Sequence, residues 1–237
     1  MIISLGCNCY VSWTLRRLAL QDKTYPWDWI NSSNFSGIIE TINTGFSPVF
    51  EHIVLSKFKE DLDKNTTFLS NSYFFRFPHE YDVNEEISIE DIVEKYNRRY
   101  ERFRNLLRFT NEPLLFVRLK EYGYGDFPME NDSLYDQYIP RFLQYFDVNF
   151  PGKDFKILLM DKKIGNILCN DSRVLCLNNV VPFENGFYNF DVKYPTQEKF
   201  FAYYKYFFNY INCNWNELKG DFGSRVLNEF LIDSQKI

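Results

Sequence analysis

A short turn with two cysteines is the part of the chain best suited to chemistry. Gly6-Cys7-Asn8-Cys9 follows a short apolar run and precedes an amphipathic segment, so it joins a predicted strand to a predicted helix. A helix N-terminus carries a partial positive charge and backbone N–H groups without intrahelical partners. Such a turn can lower the pKa of a thiol and make it nucleophilic, or it can bind a phosphate. In the alternative interpretation, both cysteines are small buried residues that pack the turn.

A thiol nucleophile needs a base, and the chain contains only two histidines, His52 and His79. His79 follows a predicted strand, and the strand ends of a parallel sheet are where functional groups are presented. His52 lies among apolar residues and is interpreted as a packed or surface histidine. We therefore predict that a Cys–His pair, if one exists, consists of Cys9 and His79.

Charged side chains near these motifs are further candidates. Asp82, or Glu80, is a candidate to orient the imidazole, as the third member of a triad does. Asp28 lies between two tryptophans and is either a functional acid or the cap of a turn. Arg118 ends an apolar strand, where it either binds a substrate anion or forms a structural ion pair.

Metal ions and cofactors are not expected. The two histidines and the Cys-x-Cys pair do not match the ligand spacing of a zinc site. The glycine turn lacks the further glycines and the lysine of nucleotide-binding fingerprints. The sequence therefore predicts chemistry carried by side chains alone.

Composition limits the class of protein. A net charge of −5 and a pI of about 5.2 argue against binding to nucleic acid or to an anionic membrane surface. The chain has no apolar run of about 18 residues, no signal-peptide pattern and an odd number of cysteines, five. We therefore predict no membrane span and a cytoplasmic location. The high aromatic share, 19%, fits either a core or a groove for a sugar or peptide.

Hydrophobic periodicity predicts alternating strands and helices. Strands are predicted over residues 2–5, 73–77, 114–119, 155–160 and 174–177, and helices over 11–19, 88–107, 133–146, 196–211 and 224–232. Residues 31–70 are predicted as mixed helix and loop, and 122–132 as a loop. The arginines near residue 100 are interleaved with acids and predict a solvated helix face. Together these patterns predict a single α/β domain over residues 1–237, with a mostly parallel central sheet and helices on both faces.

Two opening motifs resemble a known family. Ser4-Leu5-Gly6-Cys7-Asn8-Cys9 with Leu15-Arg16-Arg17, followed by Tyr25-Pro26-Trp27-Asp28-Trp29, resembles a bacterial and viral family of domains of unknown function labelled "putative papain-like cysteine peptidase". The family pattern has Phe where this chain has Trp27. Phe77-Pro78-His79 and Phe116-Val117-Arg118 match it more weakly. The resemblance implies that Cys9 is the nucleophile and His79 the base, and that Cys7 occupies a variable position. Papain-like enzymes, however, have an antiparallel sheet, unlike the alternating α/β pattern predicted for this chain.

Three functions remain open at this stage. The first is a cysteine-dependent hydrolase, peptidase-like or acyl-transferring, whose substrate-binding residues are Gly6, Asn8, Arg16, Trp29 and Arg118. The second is a glycosyltransferase-like enzyme that binds a nucleotide-sugar at the same turn, because the resembled family is associated with glycan-assembly enzymes. The third is a non-catalytic module with an aromatic groove. The expected partner is a small-molecule, peptide or glycan substrate.

Overall fold

The computed structural model describes residues 1–6, 9–32, 34–51, 53–57, 66–70, 72–80, 88–119, 132–161, 171–178, 197–222, 226 and 229. Nine strands lie within these ranges: β1 (Ile2–Ser4), β2 (Asn31–Ser32), β3 (Ile53–Lys57), β4 (Thr66–Ser70), β5 (Phe75–Phe77), β6 (Leu114–Leu119), β7 (Phe155–Asp161), β8 (Val174–Asn178) and β9 (Gly220–Asp221). The same ranges contain six helices whose two ends are both described: α1 (Cys9–Arg17), α2 (Phe35–Thr44), α3 (Ser47–Phe50), α4 (Ile89–Phe109), α5 (Asp132–Asn149) and α6 (Gln197–Cys213).

A five-stranded sheet occupies the centre, in the order β1-β6-β7-β8-β9. Every neighbouring pair is parallel, with Ile3 opposite Phe116 and Phe116 opposite Ile157. Parallel neighbours require crossover connections, and a helix lies between β1 and β6 in the chain and again between β6 and β7. The predicted α/β fold with a parallel sheet is confirmed.

Helices cover both faces of this sheet, as predicted. Leu115 and Val117 point to one face and pack with the apolar side chains of α1 and α6, such as Val11 and Phe207. Phe116, between them in β6, points to the other face and packs with α2, α4 and α5. Since successive residues of a strand alternate in direction, a strand between two helical layers is apolar at nearly every position. This is why β6 is buried along its whole length.

A second, antiparallel sheet corrects the prediction for residues 31–70. It has the order β2-β5-β4-β3, so three of its four strands come from a segment predicted as helix and loop. The helices α2 and α3 do lie in that segment. β2 has only two residues, and β4, with the sequence TTFLS, is polar at both ends, so local periodicity is weak there. β2 and β4 pair with β5, and β3 pairs with β4, so these strands depend on partners elsewhere in the chain.

Four of the predicted helices agree with the structure to within three residues at each end. The Ser88 hydroxyl accepts a hydrogen bond from the backbone N–H of Asp91 at 3.0 Å and so caps the N-terminus of α4. α1 ends at Arg17, two residues earlier than predicted, and Ala19 takes a left-handed conformation with φ 55°. α5 continues through Pro140 to Asn149.

Two further predictions fall mostly outside the described residues. Of the predicted helix over 224–232 only residues 226 and 229 are described, and both are helical. Of the loop predicted over 122–132 only residue 132 is described. Among the helices of the described segments, none is long and apolar enough to cross a membrane.

Candidate active site

The turn after β1 is built around a glycine that no other residue can replace without strain. Gly6 has φ +74°, and a Cβ placed there would lie 3.0 Å from Ser32 Oγ and 3.1 Å from the Trp27 carbonyl oxygen. The turn therefore packs closely against Ser32 in β2 and against Trp27, which precedes β2 in the chain. Cys9 is the first residue of α1, is partly exposed and packs at the margin of the core beneath the helix. Cys7 and Asn8 lie outside the described residues.

Asp28 is fully buried and fastens α1 to the turn that carries the tryptophans. Its carboxylate accepts hydrogen bonds from Ser12 Oγ at 2.9 Å, Gln21 Nε2 at 2.6 Å and the backbone N–H of Tyr25 at 2.7 Å. Burial raises the pKa of Asp28 to about 6, although the hydrogen bonds from Tyr25 and Ser12 act in the opposite direction. The described hydrogen bonds of Asp28 are with Ser12 in α1 and with Gln21 and Tyr25, which follow this helix in the chain. The carboxylate therefore positions α1 relative to the turn.

His79 lies beside Trp29 at the end of the second sheet. β2 and β5 pair with Ser32 opposite Phe75 and Asn31 opposite Arg76, and extending this register brings Trp29 next to the residues that follow β5. The Trp29 and His79 rings meet edge to face, with centroids 5.7 Å apart. The exposed Arg16 guanidinium lies 5.4 Å from the Trp29 ring centre and donates a hydrogen bond to the Thr24 hydroxyl. Three side chains predicted for the site, Arg16, Trp29 and His79, are thus contiguous.

The charge state of His79 suits a base. Partial desolvation lowers its pKa below the usual 6.5, while Glu80 acts to raise it and Lys95 to lower it. At pH 7 the imidazole is therefore mostly neutral and able to accept a proton.

Glu80 anchors the segment that carries His79. This carboxylate is 2% exposed and accepts hydrogen bonds from Lys95 Nζ at 2.5 Å and from the Tyr96 hydroxyl at 3.1 Å, with Arg99 Nη1 at 3.9 Å. All three partners belong to α4. The predicted solvated face of that helix therefore does not extend to Arg99, whose side chain is only 12% exposed and lies over the Tyr96 ring. Glu80 was the alternative acid for orienting the His79 imidazole, but its described hydrogen bonds and ion pairs are with side chains of α4.

Arg118 joins the two sheets. It is 1% exposed and donates hydrogen bonds to the Leu5 carbonyl at 3.1 Å, to Ser32 Oγ at 2.5 Å and to the Ser32 carbonyl at 2.8 Å. Its guanidinium lies 5.9 Å from the Phe35 ring centre. Of the two roles considered for this arginine, these contacts favour a structural one, in which it fixes the end of β1 against β2.

Residues 1–164 match the model of a family described as "Putative papain-like cysteine peptidase (DUF1796)". The chain belongs to this family. It is also 27% identical over 136 residues to an uncharacterized protein of Acanthamoeba polyphaga mimivirus, an alignment that covers 50% of this chain and 60% of the viral protein. The chain thus spans about three fifths of the length of this curated relative. No solved structure matches. Neither of the two matches supports the glycosyltransferase alternative.

The family match runs from β1 to the residues after β7 and so contains every candidate site residue. Sequence reasoning missed the buried hydroxyls of Ser12 and Ser32, which bind Asp28 and Arg118. A signal existed for Ser12, because it lies three residues after Cys9 and so on the same side of the helix. No local signal marked Ser32. Asp82 and His52 lie outside the described residues, and the described residues contain no cluster of three or more potential metal ligands.

Proposed function

We propose that this protein is a cysteine-dependent hydrolase or acyl transferase in which Cys9 is the nucleophile and His79 the general base. The observation that carries the proposal is the position of Cys9, which begins α1 directly after the β1 turn in a member of a family described as cysteine peptidases. Helix N-termini stabilise a thiolate, and the first turn of α1 contains no acidic side chain that would oppose this effect.

The side of α1 that carries Cys9 also contacts the His79 region. Cys9, Ser12 and Arg16 lie within about 60° of one another around the helix axis, at spacings of three and four residues. Ser12 binds Asp28, and Arg16 stacks on Trp29, which contacts the His79 ring. This contact path supports a Cys9–His79 pairing when a substrate is bound.

In the proposed reaction the Cys9 sulfur attacks a carbonyl carbon after its proton passes to His79. Backbone N–H groups at the start of α1, with Asn8 near them in the chain, stabilise the oxyanion. His79 then returns the proton to the leaving group, and an acyl-enzyme remains. Water, or another acceptor nucleophile, attacks the acyl-enzyme and restores the thiol.

The remaining predicted residues have supporting roles in this proposal. Arg16 and Trp29 line the substrate side, and Asp82 orients the imidazole. Gly6 and Arg118 hold the turn after β1, and Asp28 positions α1. The expected substrate is an ester, thioester or amide, including a peptide.

Alkylation of Cys9 as a function of pH tests the proposal. Iodoacetamide labelling is measured at each cysteine by peptide mass spectrometry, and the exposed Cys213 serves as the reference thiol in the same sample. We expect Cys9 to reach half its maximal rate at least about one pH unit below 8.5, the ordinary cysteine pKa. His79→Ala should change this profile, whereas His52→Ala, the other histidine, should not.

Hydrolysis of activated esters, thioesters and fluorogenic peptides is then measured with the same proteins. Cys9→Ala should abolish turnover without loss of the folded state, and Cys213→Ala should leave it unchanged. Titration of Cys9 near pH 8.5, together with indifference to His79→Ala, would refute the proposed pair.

A further inference from the structure

A cleft rich in positive charge lies at one end of the parallel strands, and the candidate active site lies at the other end. It is bordered by the last turns of α4, the end of α5 and residues 150–153, and it encloses about 450 Å³. Residues 150–153 lead into β7, so the cleft lies at the N-terminal ends of the strands. The β1 turn and Cys9 lie at the C-terminal ends. The six residues of β6 separate these two ends of the strands by roughly 20 Å.

Three cations line this cleft, and no acidic residue of the described segments lines it. They are Arg104, Arg108 and Lys153, in a protein whose net charge is −5. Arg108 is exposed and makes no ion pair with a described residue. Lys153 donates to the Thr110 carbonyl, a neutral acceptor that leaves its charge in place. Among the described residues, Arg104 alone of the three has a carboxylate partner, the exposed Glu101 at 3.6 Å, and an exposed pair of this kind is weak.

Two tyrosines adjoin the cationic side chains of the cleft. Burial raises the pKa of the Tyr100 hydroxyl, while the charges of Arg104 and Arg108 act to lower it and that of Glu101 acts to raise it. Arg104 also lies over the Tyr100 ring, 5.9 Å from its centre. That hydroxyl and the hydroxyl of Tyr145 both donate to the Ile42 carbonyl, at 2.9 Å and 3.2 Å, which fixes the wall.

The rest of the lining is apolar or aromatic with one amide. Phe103, Leu107, Phe150, Pro151 and Tyr145 surround the cations, and Asn149 adds a hydrogen-bonding group. A volume of this size matches a small organic ligand rather than a single ion. Guanidinium groups bind phosphate oxygens through two parallel hydrogen bonds, and a dianion needs more than one cation.

We propose that this cleft binds a small organic phosphate monoester, with the phosphate between Arg104, Arg108 and Lys153 and a ring of the ligand against Tyr145 and Phe150. The site is separate from the thiol chemistry and does not rest on it. A second groove, of about 660 Å³ between α2 and α5, shares Tyr145 and Asn149 with the cleft and gives room for a larger organic part.

Isothermal titration calorimetry on the full chain tests this proposal with AMP, glucose 6-phosphate and inorganic phosphate. Adenosine and glucose are the uncharged counterparts. We expect one of the organic phosphates to bind with a Kd below about 1 mM, at least about tenfold tighter than its uncharged counterpart and than inorganic phosphate. Arg108→Gln should weaken this binding at least about tenfold, and Arg104→Gln should do the same.

Arg98→Gln is the matched control, because Arg98 lies on the same helix but pairs with Glu94 outside the cleft. It should leave the Kd unchanged, and circular dichroism confirms that each variant is folded. The proposal is overturned if inorganic phosphate binds as tightly as the organic phosphates, if Arg98→Gln weakens binding as much as Arg108→Gln, or if no probe binds below about 1 mM.

Discussion

Replacement of Asp28 by asparagine removes a buried negative charge while the shape of the side chain is retained. In the wild type the carboxylate is fully buried, with one oxygen bound by Ser12 and the other by Gln21 and the Tyr25 N–H. The asparagine Oδ1 can accept from Gln21 and Tyr25, and its amide can donate to the Ser12 hydroxyl, which rotates to accept. The substitution therefore changes mainly the titration of this position.

The magnitude follows from the two pKa values. The pKa of Asp28 is about 6 in the folded state and 3.8 as its ordinary value. Because the folded state binds this proton more tightly, stability falls as the pH rises from about 4 to 6 and stays lower above pH 6. The two pKa values correspond to about 3 kcal/mol in total, of which about 2.4 kcal/mol falls between pH 4 and pH 7. Asp28→Asn cannot titrate, so its stability relative to wild type should rise by about this amount over the same interval.

Urea unfolding followed by tryptophan fluorescence measures this quantity at half-unit steps from pH 4 to 7.5. All other titrating groups are common to both proteins, so they cancel when the free energies of unfolding are subtracted. Asp22→Asn, which removes a nearby exposed carboxylate, is the control and should give a nearly flat difference. Parallel curves for wild type and Asp28→Asn would show that hydrogen bonds compensate the burial of the charge, and the reasoning would be wrong.

Two further substitutions test the frame of the site by urea unfolding. Gly6→Ala should cost about 1–3 kcal/mol more than Gly152→Ala, because both glycines have positive φ but only a Cβ at Gly6 meets Ser32; equal costs would contradict the close approach. Arg118→Lys should cost about 2–3 kcal/mol, since the single ammonium nitrogen of lysine cannot reach the acceptors that the planar guanidinium contacts through two separate nitrogens, whereas the exposed Arg98→Lys should lie within about 0.5 kcal/mol of wild type. Similar values for the two lysine variants would refute the joining role of Arg118.

Elements with strong local signals were predictable from the sequence. α4 combines a capping residue with an apolar stripe, and β6 is a continuous apolar run after a proline, so both appear within two residues of the predicted bounds. The glycine turn was predictable for the same reason, because it falls between two periodic segments. Cys9 and His79 were predicted because a thiol nucleophile needs a base, and the family motifs point to the same two residues, which periodicity alone does not distinguish from packing residues.

Elements that depend on distant partners were not predictable in this way. β2 is a strand only because it pairs with β5, more than forty residues away along the chain. The role of Arg118 depends on Ser32, which lies 86 residues earlier. A buried polar side chain needs partners, but the sequence does not say which ones. The location of the candidate site stays a prediction from the sequence, while the contacts that hold its elements together could not be predicted.

Three buried charges occur where the two sheets and the helices meet around the candidate site. Asp28 connects α1 to the tryptophan turn, Arg118 connects β1 to β2, and Glu80 connects the end of β5 to α4. A buried charge is a poor source of net stability, because desolvation offsets most of what its partners supply. Its hydrogen bonds are directional, however, and losing one partner leaves a costly unsatisfied group. Apolar packing would tolerate a small slide between these elements, whereas these contacts do not. Their placement at the junctions that carry Cys9, Trp29 and His79 is therefore what we expect of a site that must hold its reacting groups in a fixed geometry.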